Sequence, residues 1–125
     1  MPVQNYRGLV AWQKSMDLVK LIYSLTKKFP REEMFGLTSQ IRRAVVSIPS
    51  NIAEGQGRLS TKEFIRHLSI GHGSLRETET QNLIAEMQGY ISAEESQDVM
   101  EKCAEVGRLI NGLANSLREK ENGDL

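Results

Sequence analysis

Apolar positions in this chain recur at steps of three and four rather than two, in separate runs divided by turn residues. In the first run Leu9, Trp12, Met16, Val19 and Tyr23 make a stripe that Leu18, Ile22 and Leu25 widen, which predicts a helix over about residues 10–28. Phe29-Pro30 ends it, because the residue before a proline avoids helical geometry. Leu37, Ile41, Ala44, Val45, Ile48 and Ile52 predict a second helix over about 37–54. Ser60-Thr61-Lys62-Glu63 reads as a capping box that opens a third helix over about 61–88. Ser92-Ala93-Glu94-Glu95 opens a fourth over about 93–118, whose seam runs Val99, Cys103, Val106, Ile110, Leu113 and Leu117. The acidic tail beyond Lys120, Glu121 and Asp124, is expected to fray. No segment alternates with period two, so the expected fold is all-α, an antiparallel up-down-up-down four-helix bundle forming a single domain over 1–125.

The second helix breaks the pattern. Pro49 falls inside it, removing a backbone donor and crowding the Val45 carbonyl at a cost of about 3 kcal/mol. A bend is expected there. Opposite the apolar stripe lie Arg43, Ser47, Ser50 and Glu54, and between that line and the core sit Val46, Pro49 and Ala53. A solvated helix face would be charged instead of small and apolar. The expectation is that a second subunit covers this side, with Arg43, Val46, Ser47, Pro49, Ser50, Ala53 and Glu54 at the oligomer interface.

Charge sharpens this picture. The 16 basic and 16 acidic residues cancel, yet residues 1–62 hold 10 basic against 4 acidic, and residues 63–125 hold 6 against 12. Two halves of opposite sign can attract each other within or between subunits. The basic side chains Arg42, Arg43, Arg58, Lys62 and Arg66 form a candidate phosphate-binding set, with Lys27, Lys28 and Arg31 adding charge at another loop. Ordinary solvation and pairing with the acidic fourth helix explain the same residues, and both readings stay open.

Catalytic and metal chemistry find no support. His67 and His72 are five apart, on different helical faces, without a ligating partner at i+4. Cys103 lies on an apolar seam and reads as a buried structural thiol. A carboxylate di-iron site needs Glu-x-x-His on two helices, and the motif does not occur. The glycines in Ser69–Ser74 sit mid-helix, where they suit close helix packing better than a phosphate loop. No metal, cofactor or catalytic residue is expected. The single cysteine fits a reducing compartment, MPVQNYRG lacks a signal-peptide pattern, and no apolar run approaches the roughly 20 residues of a membrane span. A cytoplasmic protein is expected.

VAWQKSMDL (10–18), FPREEMFGLTSQIRRAVVSIPSNIAEGQGR (29–58) and GSLRETETQ (73–81) closely resemble the four-helix-bundle family of 23S rRNA intervening-sequence proteins. That family is related to the accessory variability determinant proteins of diversity-generating retroelements. The resemblance implies a non-enzymatic, ring-like homopentamer with a positive surface, binding RNA or a ribonucleoprotein. It also implies an alternative, an adaptor that docks a protein such as a reverse transcriptase. Arg42, Arg43 and Arg58 match the family's basic positions, and Trp12, Pro49, Asn51, Gly55, Ser74 and Glu77 match structural ones. The chain departs from the pattern at Gly71 and His72, where alanine and a basic residue are common, and in its overall neutrality.

Overall fold

A computed structural model describes residues 5–123. Four helices follow a short 3-10 turn at Tyr6–Gly8: α1 (Val10–Thr26), α2 (Leu37–Gln56), α3 (Thr61–Met87) and α4 (Ala93–Gly123). A second 3-10 turn, Arg31–Glu33, lies between α1 and α2. Helices adjacent in sequence pack together, α1 closes on α4, and the diagonal pairs do not pack backbone to backbone among the described residues. This is the expected all-α four-helix bundle. The fourth helix continues to Gly123, past the expected end near 118, so Glu121 is helical; Asp124 lies outside the described residues.

The ends follow from local chemistry. Ser60 Oγ accepts from the Glu63 N–H at the start of α3. At α4 the box is reciprocal: Ser92 Oγ accepts from the Glu95 N–H, and Glu95 Oε1 accepts from the Ser92 N–H. The start of α2 is capped from a distance, because Glu33 Oε1 accepts from the Leu37 N–H at 3.0 Å. Glu33 Oε2 also accepts from the Tyr90 hydroxyl at 2.8 Å, and Lys28 pairs with Glu95. These two links tie the α1–α2 loop to the α3–α4 loop at one end of the bundle.

The buried face of α1 is Ala11, Ser15, Leu18, Ile22 and Thr26, not the expected line through Trp12, Met16 and Tyr23. Met16 and Tyr23 are 41% and 39% exposed. Two small hydroxyl residues hid the true face. Ser15 donates to the Trp12 carbonyl and Thr26 to the Ile22 carbonyl, both at 2.8 Å, so burying them strands no polar group. The displaced stripe instead flanks α2.

The closest packing in the bundle is between α2 and α3, where glycines meet backbone from both sides. A Cβ on Gly55 would come within 2.7 Å of His67 Cβ and 2.8 Å of Phe64 Cδ1. On the facing helix a Cβ on Gly71 would lie 3.5 Å from Asn51 Cβ and 3.6 Å from the Ile48 carbonyl oxygen. Gly55 is therefore a packing residue inside α2, and Gly57 caps the helix. The α2 helix runs as one element through Pro49. Pro49 is buried within the subunit, so the small outer face of α2 is partly covered by its own chain. The reason is the α1 stripe, which leans over Val46, Pro49 and Ala53.

Candidate nucleic-acid and subunit interface

Two kinds of surface meet along α2. On its α1 side lies a groove of about 310 Å³ walled by Trp12, Met16 and Val19 from α1 and by Val46, Pro49 and Ala53 from α2. Tyr6 closes one end, its ring edge-on to Trp12 at 5.3 Å between centroids. The lining is mostly apolar and open to solvent, with Met16 and Val46 substantially exposed. Apolar side chains gathered at a solvent-open groove make it a candidate contact surface.

On the α3 side of α2 the lining changes character. A groove of about 530 Å³ is bounded by Phe35, Ser39, Gln40 and Arg43, and across from them by Ser74 and Glu77. Ser74 donates to Ser47 Oγ at 2.9 Å, which also accepts from Asn51 Nδ2 at 3.0 Å. Asn51 Oδ1 is an acceptor only, so at 3.1 Å it fixes the proton of His67 on Nδ1. This relay holds α2 and α3 together beneath the groove, and it engages Ser47, half-buried in the groove lining, within its own subunit. No ion pair or hydrogen bond engages Arg43 or Glu77 among the described residues, although the two line the same groove.

The five expected phosphate ligands fall into two groups. Arg42 and Arg43 lie on the first half of α2, whereas Arg58, Lys62 and Arg66 surround the α2–α3 turn, about 20 Å further along the axis. Within these groups the side chains differ. Arg42 is held by its own subunit: its guanidinium stacks 4.6 Å from the Tyr23 ring centroid and its Nε donates to Thr26 Oγ1 at 2.8 Å. Arg58 sits 3.9 Å from Glu54 and Arg66 sits 4.0 Å from Glu63, both as exposed pairs of little strength. Arg43 and Lys62 are exposed and make no ion pair among the described residues. Of the expected interface set, Val46, Ser50 and Ala53 line the apolar groove with the buried Pro49, while Arg43 opens onto the polar groove.

Sequence reasoning missed two features. Phe35 is 93% exposed at the mouth of the polar groove, and also lines a smaller groove with Tyr23, Arg42 and Val46. A single aromatic in a loop carries no periodic signal by which to find it. The outer side of α3 also exposes Ile70, Ile84 and Met87, with Gly73, the charged Glu77 and Thr80 between them at steps of three and four. Two stripes on one helix signalled this, since α3 carries apolar residues on both sides.

The histidines and the cysteine lie against neighbouring helices. His67 faces α2 through Asn51, whereas His72 lies against Gly107 of α4. Burial pushes the Cys103 thiol up to about 12, with Glu79 adding to the shift. Among the described residues no three metal-ligating side chains gather, and no helix is long and apolar enough to cross a membrane.

The sequence model of the family described as 23S rRNA-intervening sequence protein matches residues 7–112. Among solved structures, a protein of unknown function from the S23 ribosomal protein family of Bacteroides thetaiotaomicron is 27% identical to this chain. The alignment covers 84% of this chain and 98% of that one, with a TM-score of 0.78. No curated protein matches the chain.

Proposed function

From the premise that the chain belongs to the 23S rRNA-intervening sequence protein family, we propose that it works without catalysis, as a homo-oligomer that presents repeated cations to RNA or a ribonucleoprotein. The supporting observation is the adjacency of unlike surfaces along α2. Val46, Pro49 and Ala53 line an apolar groove, and Arg43 stands exposed beside it. A second copy covering the apolar groove repeats the arginine at a fixed interval, so each added subunit extends one positive surface. Five copies, as the family resemblance implies, would carry five such positions. This repetition answers the neutral net charge, because local cations set phosphate affinity while the acidic residues of α4 lie on another helix.

The reading is tested with a labelled RNA copied from 23S rRNA. Affinity is measured by anisotropy across a salt series. Each phosphate contact contributes about 0.7–0.9 to the slope of log affinity against log salt. Replacing Arg43, Arg58 and Lys62 with alanine should lower both affinity and slope. Binding that ignores salt, or is absent, removes RNA as the ligand and leaves the adaptor reading, in which the same surface docks a protein such as a reverse transcriptase.

A further inference from the structure

The polar groove between α2 and α3 has the composition of a nucleotide subsite. Its walls offer Ser39, Gln40 and Arg43 on one side and Glu77 on the other, with Phe35 at its mouth. Phe35 is the most exposed aromatic of the described residues. An aromatic ring left in water costs hydrophobic free energy that a stacked base would recover. A protein partner would favour the groove on the other side of α2, whose lining is apolar. The polar groove instead sets an unpaired cation and an unpaired carboxylate around a stacking platform.

We infer that this groove binds one unpaired nucleotide of an RNA strand, its base stacked on Phe35, its phosphate at Arg43, and its amino group at Glu77. Each contact follows from chemistry. Bases stack on aromatic rings whatever their identity, and single strands present the faces that duplexes hide. Arginine donates to phosphate oxygens. A carboxylate accepts from base amino groups, which explains an acid on a surface meant for a polyanion. A groove of about 530 Å³ lies within the range of small-ligand clefts. Arg42 does not join this group, because Tyr23 and Thr26 already hold it on the α1 side.

The inference rests on the RNA reading above and narrows it to unpaired strands. Anisotropy with a labelled single-stranded RNA, and with the same sequence as a duplex, tests it on the parent chain and on Phe35→Leu. The leucine keeps apolar bulk and removes the ring. Single-strand affinity should fall about five- to a hundred-fold, the range for losing one stacked base, while duplex binding stays unchanged. Phe35→Trp should retain affinity and lose indole fluorescence as RNA is added, against the background of the single native Trp12. Light scattering on both variants reports assembly. If Phe35→Leu binds the single strand as tightly as the parent, the subsite is wrong while RNA binding by the cations stands. If its mass drops and affinity falls only with that mass, Phe35 is a subunit contact and the subsite is equally overturned. If the parent binds neither RNA, the broader reading fails first.

Discussion

The same substitution at two glycines of this bundle should change stability in opposite directions. At Gly55 an added Cβ would meet His67 Cβ at 2.7 Å and the Phe64 carbonyl oxygen at 3.2 Å, whereas ordinary contact begins at 3.4 Å. Relief needs a shift of about 3.4 − 2.7 = 0.7 Å. The atoms met are a Cβ and a carbonyl fixed to the α3 backbone, so no rotamer change provides it. Overpacking of this kind costs about 1–3 kcal/mol, and alanine's better helix propensity returns up to about 1 kcal/mol. Contacts fixed to backbone belong in the upper part of that range, so a net loss of about 1–2 kcal/mol lowers Tm by roughly 4–8 °C in a chain of this size. At Gly73 a Cβ meets nothing within 4 Å, so only the propensity gain remains and Tm should rise by up to about 4 °C. Chemical and thermal denaturation followed by circular dichroism measures both, at one protein concentration, with mass checked because Gly73 faces outward. If Gly55→Ala proves as stable as the parent, or the two variants move together, close backbone approach is not what holds α2 to α3.

Three further outcomes follow from the side-chain geometry. Arg42→Ala should cost about 1–2 kcal/mol by losing the Tyr23 stack and the Thr26 hydrogen bond, while Arg43→Ala stays within about 0.5 kcal/mol; equal losses in urea melts would show that Arg42 is no more tied to the fold than Arg43. The Leu37 N–H, then the Tyr90 hydroxyl, hold the Glu33 carboxyl below its usual value near 4.5, and Lys28, then the Ser92 N–H, do the same for Glu95. Folded values below unfolded ones give stability that is complete above about pH 4.5 and lost as pH falls through the lowered values, so Glu33→Gln with Glu95→Gln should flatten the acid limb of Tm against pH; an unchanged limb contradicts the clamp. With its thiol raised to about 12 by burial, Cys103 should react with iodoacetamide far more slowly in the native chain than in denaturant, and equal rates would place it at the surface.

Much of the architecture was legible because apolar spacing and capping residues act locally. The boxes at Ser60 and Ser92 announced the starts of α3 and α4, since a serine and an acid three residues on can satisfy free N–H groups without help from elsewhere. What periodicity could not settle was which of two stripes faces inward. In α1 the line through Trp12, Met16 and Tyr23 looked more apolar than the buried one, which contains Ser15 and Thr26. Their hydroxyls disappear into carbonyls one turn back, and that bonding has no signature in hydrophobicity. Pro49 adds a related point that spacing does not encode: it is buried in its own subunit and still lines the apolar groove that α1 shares. The candidate site was legible as residue types only. Arg42 and Arg43 are adjacent in sequence, yet one is bound to Tyr23 and the other is unpaired among the described residues, a difference created by the turn of about 100° between neighbouring helical positions. Phe35 and Glu77 met across a groove from distant segments, which no local pattern encodes.

Everything proposed for the assembled protein depends on a second copy covering the apolar groove between α1 and α2. Multi-angle light scattering of the parent beside Val46→Glu addresses this directly, because the carboxylate enters the groove without touching the bundle core. The parent should run as a multiple of 14.1 kDa, five-fold if the family assembly holds, and the variant should fall to 14.1 kDa while keeping its helical spectrum. A parent that elutes at 14.1 kDa, or a variant that keeps the parent's full mass, contradicts the account.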